Sequence, residues 1–163
     1  TYTKLGMGDG GLWKYRKQIN IASGNDGSAS SNSIDVLDQI RMFALLGKWY
    51  DNAEDFTLKE MWQYLMAGHK YLNFNSGKLA VGYAADLNVF DLNTVSAAPV
   101  YNPLAAIIYS AVPAVSITDV MIDGKFVKRN GKLAFDEKEI IKNASACAKE
   151  IYARGRGVTK LYF

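Results

Sequence analysis

Ile19-Asn20-Ile21-Ala22-Ser23-Gly24-Asn25-Asp26-Gly27-Ser28-Ala29-Ser30-Ser31-Asn32-Ser33-Ile34-Asp35-Val36 joins an apolar opening to an amphipathic finish through a polar, glycine-flanked middle. Ile19 to Ser23 reads as a short buried strand. From Ser33 to Lys48, the residues Val36, Leu37, Ile40, Phe43 and Ala44 recur at helical spacing, which predicts a helix with one apolar face. Asn32 is its expected cap, and Asp35 falls in the first turn, where the helix dipole favours negative charge. The connection is longer than the roughly 2–6 residues usual in an α/β unit, and it holds one carboxylate, Asp26. It is either a slack surface loop or part of a site. A carboxylate at the C-terminal end of a parallel strand sits where α/β barrels and open α/β sheets place their chemistry. Gly24 and Gly27 would allow close backbone approach, and the serines and Asn32 could hold the carboxylate. Asp-Gly is also an ordinary turn dipeptide, so the residues alone leave both readings open.

Outward from this stretch, Thr57-Leu58-Lys59-Glu60 is a capping box, with Phe56 and Met61 placed to form a hydrophobic staple. Leu58, Met61, Trp62, Leu65, Met66 and Leu72 form the expected buried stripe of a second helix, and His69 reads as half-buried on it. The Gly6–Gly11 run lacks the spacing of a phosphate-binding loop. From Gly77 the texture turns to β. Asp86 to Asp91 alternates, Ile117 to Ile122 and Lys125 to Lys128 flank the two-residue turn Asp123-Gly124, and Asn130-Gly131 precedes Lys132 to Phe135. Pro103 to Ser110 reads as a short helical connection. Asp136 caps a last helix with Ile140, Ile141, Ala144, Ala148 and Ile151 on one face, and Gly155 stops it. Neither half looks closed, because a lone βα unit and a small sheet both leave unpaired edges.

With 163 residues, 49% apolar and 21% charged, the composition is that of a globular domain. A net charge of +3 is too small and scattered to predict nucleic-acid binding. The one basic cluster, Arg154-Gly155-Arg156-Gly157 with Lys160, reads as a solvated tail. No apolar run reaches the roughly 18–20 residues of a membrane span, and the first residues carry no signal-peptide pattern. The single histidine and the single cysteine, Cys147, rule out a His-rich metal cluster or an internal disulfide framework. The cysteine usage fits a reducing compartment, and the expected location is the cytoplasm.

Gly24 to Val36 resembles the loop after the eighth barrel strand of the amidohydrolase superfamily. The branch it resembles most contains the chlorohydrolases, the S-adenosylhomocysteine and methylthioadenosine deaminases and guanine deaminase, where the stretch commonly reads G-T-D-G-A-A-S-N-N-x-x-D-M. The resemblance continues through Gln39 to Leu46, Gly77 to Asp91, Tyr101-Asn102-Pro103-Leu104, Val120 to Lys125 and Gly131-Lys132-Leu133. Thr1 to Leu5 falls where members carry S-N-x-K-L. Asn25 replaces the usual Thr, Ser31 the first Asn of the pair, and Tyr2 the Asn of the pentapeptide, so no narrow substrate is assigned.

This resemblance implies the C-terminal fragment of a (β/α)8 barrel, with its last strand and following helices, joined to part of a small antiparallel β module. Residues 1–76 are the expected barrel portion, 77–135 the β module, and 136–163 the C-terminal helix and basic tail. It also implies a metal-dependent hydrolase acting on C–N or C–Cl bonds of a nitrogen heterocycle. Asp26 is the implied catalytic residue and metal ligand, and Zn²⁺ or Fe²⁺ the implied metal of the full-length enzyme. The histidine ligands of the family have no counterpart here, since His69 falls on the second helix, where members have a small residue. The chain alone is therefore expected to bind no metal and to be inactive. Exposed edges predict a homo-oligomer or strand-exchanged dimer. The reading from another class is a non-catalytic interaction module derived from the barrel's C-terminus.

Overall fold

Asp35 decides where the first long helix begins. Its carboxylate accepts the Leu37 amide at 2.9 Å, which supplies one of the first-turn donors that a helix cannot satisfy internally. Helix α1 therefore runs Val36–Tyr50, starting later than the apolar spacing suggested. Asn32 is not its cap. It ends a separate helical turn, Ser28–Ser31, and adopts a φ of 62°. The computed structural model describes residues 3–8 and 11–155; Thr1, Tyr2 and the tail from Arg156 onward, with Lys160, lie outside the described residues.

Helix α2 spans Leu58–Tyr71. Thr57 Oγ1 accepts the Glu60 amide at 3.2 Å, but only half of the capping box forms. The Glu60 carboxylate turns instead to the Tyr64 hydroxyl and to Arg16, 3.6 Å away. Phe56 and Met61 are both buried, as the staple requires, and join Leu37, Ile40, Ala44, Tyr64, Trp13 and Ile108 in one apolar core. The stripe of α2 departs from expectation at two places: Tyr64 is buried, and Leu72 is 67% exposed. Phe43 sits centrally, edge-on to Trp13 and Tyr64. The Phe56 ring, from the connection between the two helices, packs on α1 where it has no side chain, at Gly47.

The sheet follows in the order β1 (Leu87–Phe90), β2 (Ile117–Ile122), β3 (Lys125–Arg129) and β4 (Lys132–Leu133), each strand antiparallel to the next. Asp123-Gly124 and Asn130-Gly131 connect the last three strands with positive φ at both central positions. Such turns match the right-handed twist of the strands they join. Between β1 and β2, a helical turn at Pro103–Ala105 widens into a π-helical turn at Ala106–Ser110. The turn carries Ile108 into the helical core. Arg41 of α1 donates to the carbonyls of Ile108 and Ala111 at 2.9 and 2.7 Å, so a helix side chain satisfies acceptors that the loosened turn leaves free.

Two expected features differ. Ile19 to Ser23 forms no ladder among the described residues; its backbone leans on α2 through Ser23 N–H to the Tyr64 carbonyl, 2.8 Å. A strand exists only by virtue of a partner, and none of the described strands lies beside it. Helix α3, Glu137–Arg154, forms as expected, with Asp136 accepting from Lys138 and Glu139. None of its residues is buried, and Ile140, Ile141 and Ile151 are more than half exposed. No described helix is long and apolar enough to cross a membrane.

Candidate functional site

Asp26 lies exposed in the connection between Ser23 and α1. Its Oδ1 accepts the amide of Gly27 at 2.7 Å, so the carboxylate is folded back on the chain that follows it. Gly27 is also the hinge of the Ser28–Ser31 turn. Its carbonyl accepts the amides of Ser30 and Ser31 at 3.0 Å, and the Ser31 hydroxyl at 3.2 Å. Asn32 N–H closes on the Ser28 carbonyl at 2.9 Å, and Ser33 Oγ accepts the Asp35 amide at 3.1 Å. The small polar residues thus bind one another and the backbone, which gives the stretch a defined shape in place of slack. Gly24 and Gly27 are not approached closely by any of the described residues. Neither has positive φ, and a Cβ at either would meet nothing within 4 Å.

A second segment fastens this loop. Lys4 Nζ donates to the Ser30 carbonyl at 2.8 Å and also to Asn32 Oδ1. Beneath it, Ile21, Ser23, Gly24, Ile40, Phe43 and Tyr64 help to line an apolar cavity of about 200 Å³. Asn25, next to Asp26, keeps its Oδ1 buried without a partner among the described residues. Burial, followed by the hydrogen bond to Glu60, pushes the Tyr64 hydroxyl well above the usual tyrosine range. Tyr64 is therefore a neutral donor at the cavity wall.

His69 belongs elsewhere. Its Nδ1 is 2.6 Å from Ser76 Oγ, and its ring packs on Gly77, where a Cβ would come within 2.7 Å of the ring. It is half-buried, as its place on the helix predicts, and lines a wider cleft of about 810 Å³ with Trp62, Met66 and Met121. Among the described residues, no three His, Cys, Asp or Glu side chains converge on one point. A zinc centre takes about three protein ligands, so these residues do not by themselves fit a metal ion.

Two functional or organising residues escape a local reading of the sequence. Lys4 reaches its partners across 26 and 28 positions, a distance over which no periodicity carries a signal. Arg16 looks like one basic residue of a glycine-rich opening, yet it is 7% exposed. It lies 3.1 Å from Asp51, 3.9 Å from Asp55 and 4.0 Å above the Phe56 ring. Its hydrogen bond to Asp51 holds that carboxylate below the ordinary range.

The comparisons with known proteins agree with this architecture. The model of the amidohydrolase family matches residues 13–127. The 5′-deoxyadenosine deaminase of Methanopyrus kandleri is 37% identical over 139 residues, covering 82% of this chain and 32% of that protein. The zinc-bound adenosine deaminase of Xanthomonas campestris superposes with a TM-score of 0.78 at 29% identity, over 85% of this chain and 32% of that one. A zinc-complexed atrazine chlorohydrolase of Arthrobacter aurescens shares the fold, with a TM-score of 0.78 at 24% identity over 89% of this chain and 33% of its own. The chain spans about a third of the length of these proteins. Its matched stretch takes in the helical core and the sheet as far as β3, and the chain belongs to the amidohydrolase family.

Proposed function

We propose that this chain is the C-terminal part of a metal-dependent hydrolase that cleaves C–N or C–Cl bonds of a nitrogen heterocycle, and that hydrolytic deamination of an adenosine-type substrate is the favoured activity. The observation that carries the choice is the 37% identity to a 5′-deoxyadenosine deaminase over 82% of this chain. In this reading residues 1–76 are the barrel portion, 77–135 the share of the β module, and 136–163 the terminal helix and tail. The protein works in the cytoplasm.

Asp26 is the residue this chain contributes to the chemistry. It is an exposed carboxylate on an ordered loop, with one oxygen engaged by Gly27 and the other without a described partner. A carboxylate so placed can take a proton from an attacking water and return it to the departing group. An amine leaves only when protonated, whereas chloride needs no proton, so the relay matters most for deamination. The divalent metal, zinc or iron, belongs to the whole protein, and Asp26 is the one ligand offered here. The remaining ligands and most of the substrate pocket come from outside the described residues.

The test is ammonia release from 5′-deoxyadenosine by the longest encoded polypeptide that contains this chain. Turnover is expected there, and D26A should lower it by at least about a hundredfold, the usual scale of a positioned proton-transfer group. The 163-residue chain alone should release no ammonia and retain no stoichiometric zinc after dialysis. Full activity in D26A would refute the role given to Asp26.

A further inference from the structure

We propose that Lys4 is a positioning residue for Asp26, acting by holding in place the Ser28–Ser31 turn that fixes Gly27. Lys4 Nζ donates to the Ser30 carbonyl at 2.8 Å. The Ser30 amide donates to the Gly27 carbonyl at 3.0 Å, and the Gly27 amide donates to Asp26 Oδ1 at 2.7 Å. The Ser30 carbonyl shares its peptide group with the Ser31 amide, which also donates to the Gly27 carbonyl at 3.0 Å, so the cation strengthens the bond that closes the turn beside Gly27. The ammonium also sits at the C-terminal end of the Ser28–Ser31 turn, where the exposed carbonyls favour a cation. The inference rests on the role proposed for Asp26, but its physical content is the order of the loop.

The second contact of Lys4 explains an otherwise costly backbone. Asn32 has φ 62° and ψ −36°, a region that non-glycine residues enter only when their surroundings hold them there. Its amide is fixed on the Ser28 carbonyl, and its Oδ1 accepts from Lys4. Strain at the far end of the turn is thereby locked by the same ammonium that holds the turn beside Asp26. Lys4 and the Asp26 loop come from separate segments, so the clamp also fixes where the opening of the chain lies relative to the carboxylate.

Amide exchange and the Gly27 amide proton shift, measured by NMR on the full chain, test the proposal. In Lys4→Met, exchange at Ser30, Ser31 and Asn32 should accelerate about tenfold, the scale of one lost hydrogen bond to a charged group. The Gly27 amide proton should move upfield as its bond to the carboxylate loosens. Lys4→Arg should restore both, because it returns the cation. Asp26→Asn keeps an oxygen acceptor and should leave the slow exchange intact, which separates the loop's order from the chemistry assigned to Asp26. Unchanged exchange and shift in Lys4→Met, or equal losses in Lys4→Arg, would overturn the proposal.

Discussion

At Gly47 a methyl group has no room. A Cβ there would lie 2.1 Å from Cε1 and 2.4 Å from Cζ of Phe56. In a free helix, Gly→Ala stabilises by about 1 kcal/mol through backbone entropy. Here the sign reverses, because the Phe56 ring occupies the volume and is itself 1% exposed. Gly47→Ala is expected to lower stability by about 1–3 kcal/mol, read as a drop in the urea midpoint at unchanged slope. Adding Phe56→Leu should return part of that loss; a stabilised Gly47→Ala would show that the Phe56 ring moves aside at no cost. The sequence marks Gly47 only as a weak point in a helical pattern. Its ring partner lies in the next connection, where no spacing rule points back to it. Asp26 is proposed for a different reason: an isolated carboxylate among small polar residues stands out chemically, and the order of the motifs around it resembles a known family.

Among the elements, the capped ones were the easiest to foresee. Thr57 and Asp136 each accept a first-turn amide near the place their sequence context predicts, and both type I′ turns are spelled by Asp-Gly and Asn-Gly. The start of α1 was misread because two candidates stand close together. Asn32 has the right chemistry, but its amide and side chain are already committed to the Ser28–Ser31 turn and Lys4, and Asp35 takes the cap. Asp35→Ala should therefore destabilise the chain by about 1 kcal/mol, whereas Asn32→Ser should leave the α1 boundary unmoved. Amide exchange across Val36 to Gln39 distinguishes the two; greater loss in Asn32→Ser would reinstate Asn32 as the cap. Ile19 to Ser23 was misread for a reason that lies outside its own residues. Its apolar content is that of a strand, but a ladder requires a neighbour, and the described strands pair only among themselves.

Across the whole molecule, Arg16 joins pieces that the sequence keeps apart. It ties the turn around Trp13 to the end of α1 through Asp51, to the connecting turn through Asp55, and to the start of α2 through Glu60. Asp51 is held below its ordinary value of 3.8, chiefly by the hydrogen bond from Arg16. A depressed carboxylate stabilises the fold at pH above its unfolded value, and that contribution disappears as pH falls through the folded value. Melting temperature should consequently fall as pH drops below about 4, and the fall should be shallower in Arg16→Met, in which Asp51 loses its main hydrogen-bond donor. Equal acid profiles in both proteins would deny the linkage. The burial of Trp13 has a further, optical consequence. Of the three tryptophans, Trp13 is 1% exposed and stacked on Tyr50, with ring centroids 5.7 Å apart, while Trp49 is 81% exposed. Emission at the blue edge, shielded from a soluble quencher, therefore reports the helical core, and the red edge reports the surface of α1. Helix α3 has no indole and stays dark, so the core's melting can be followed separately from whatever the terminal helix does.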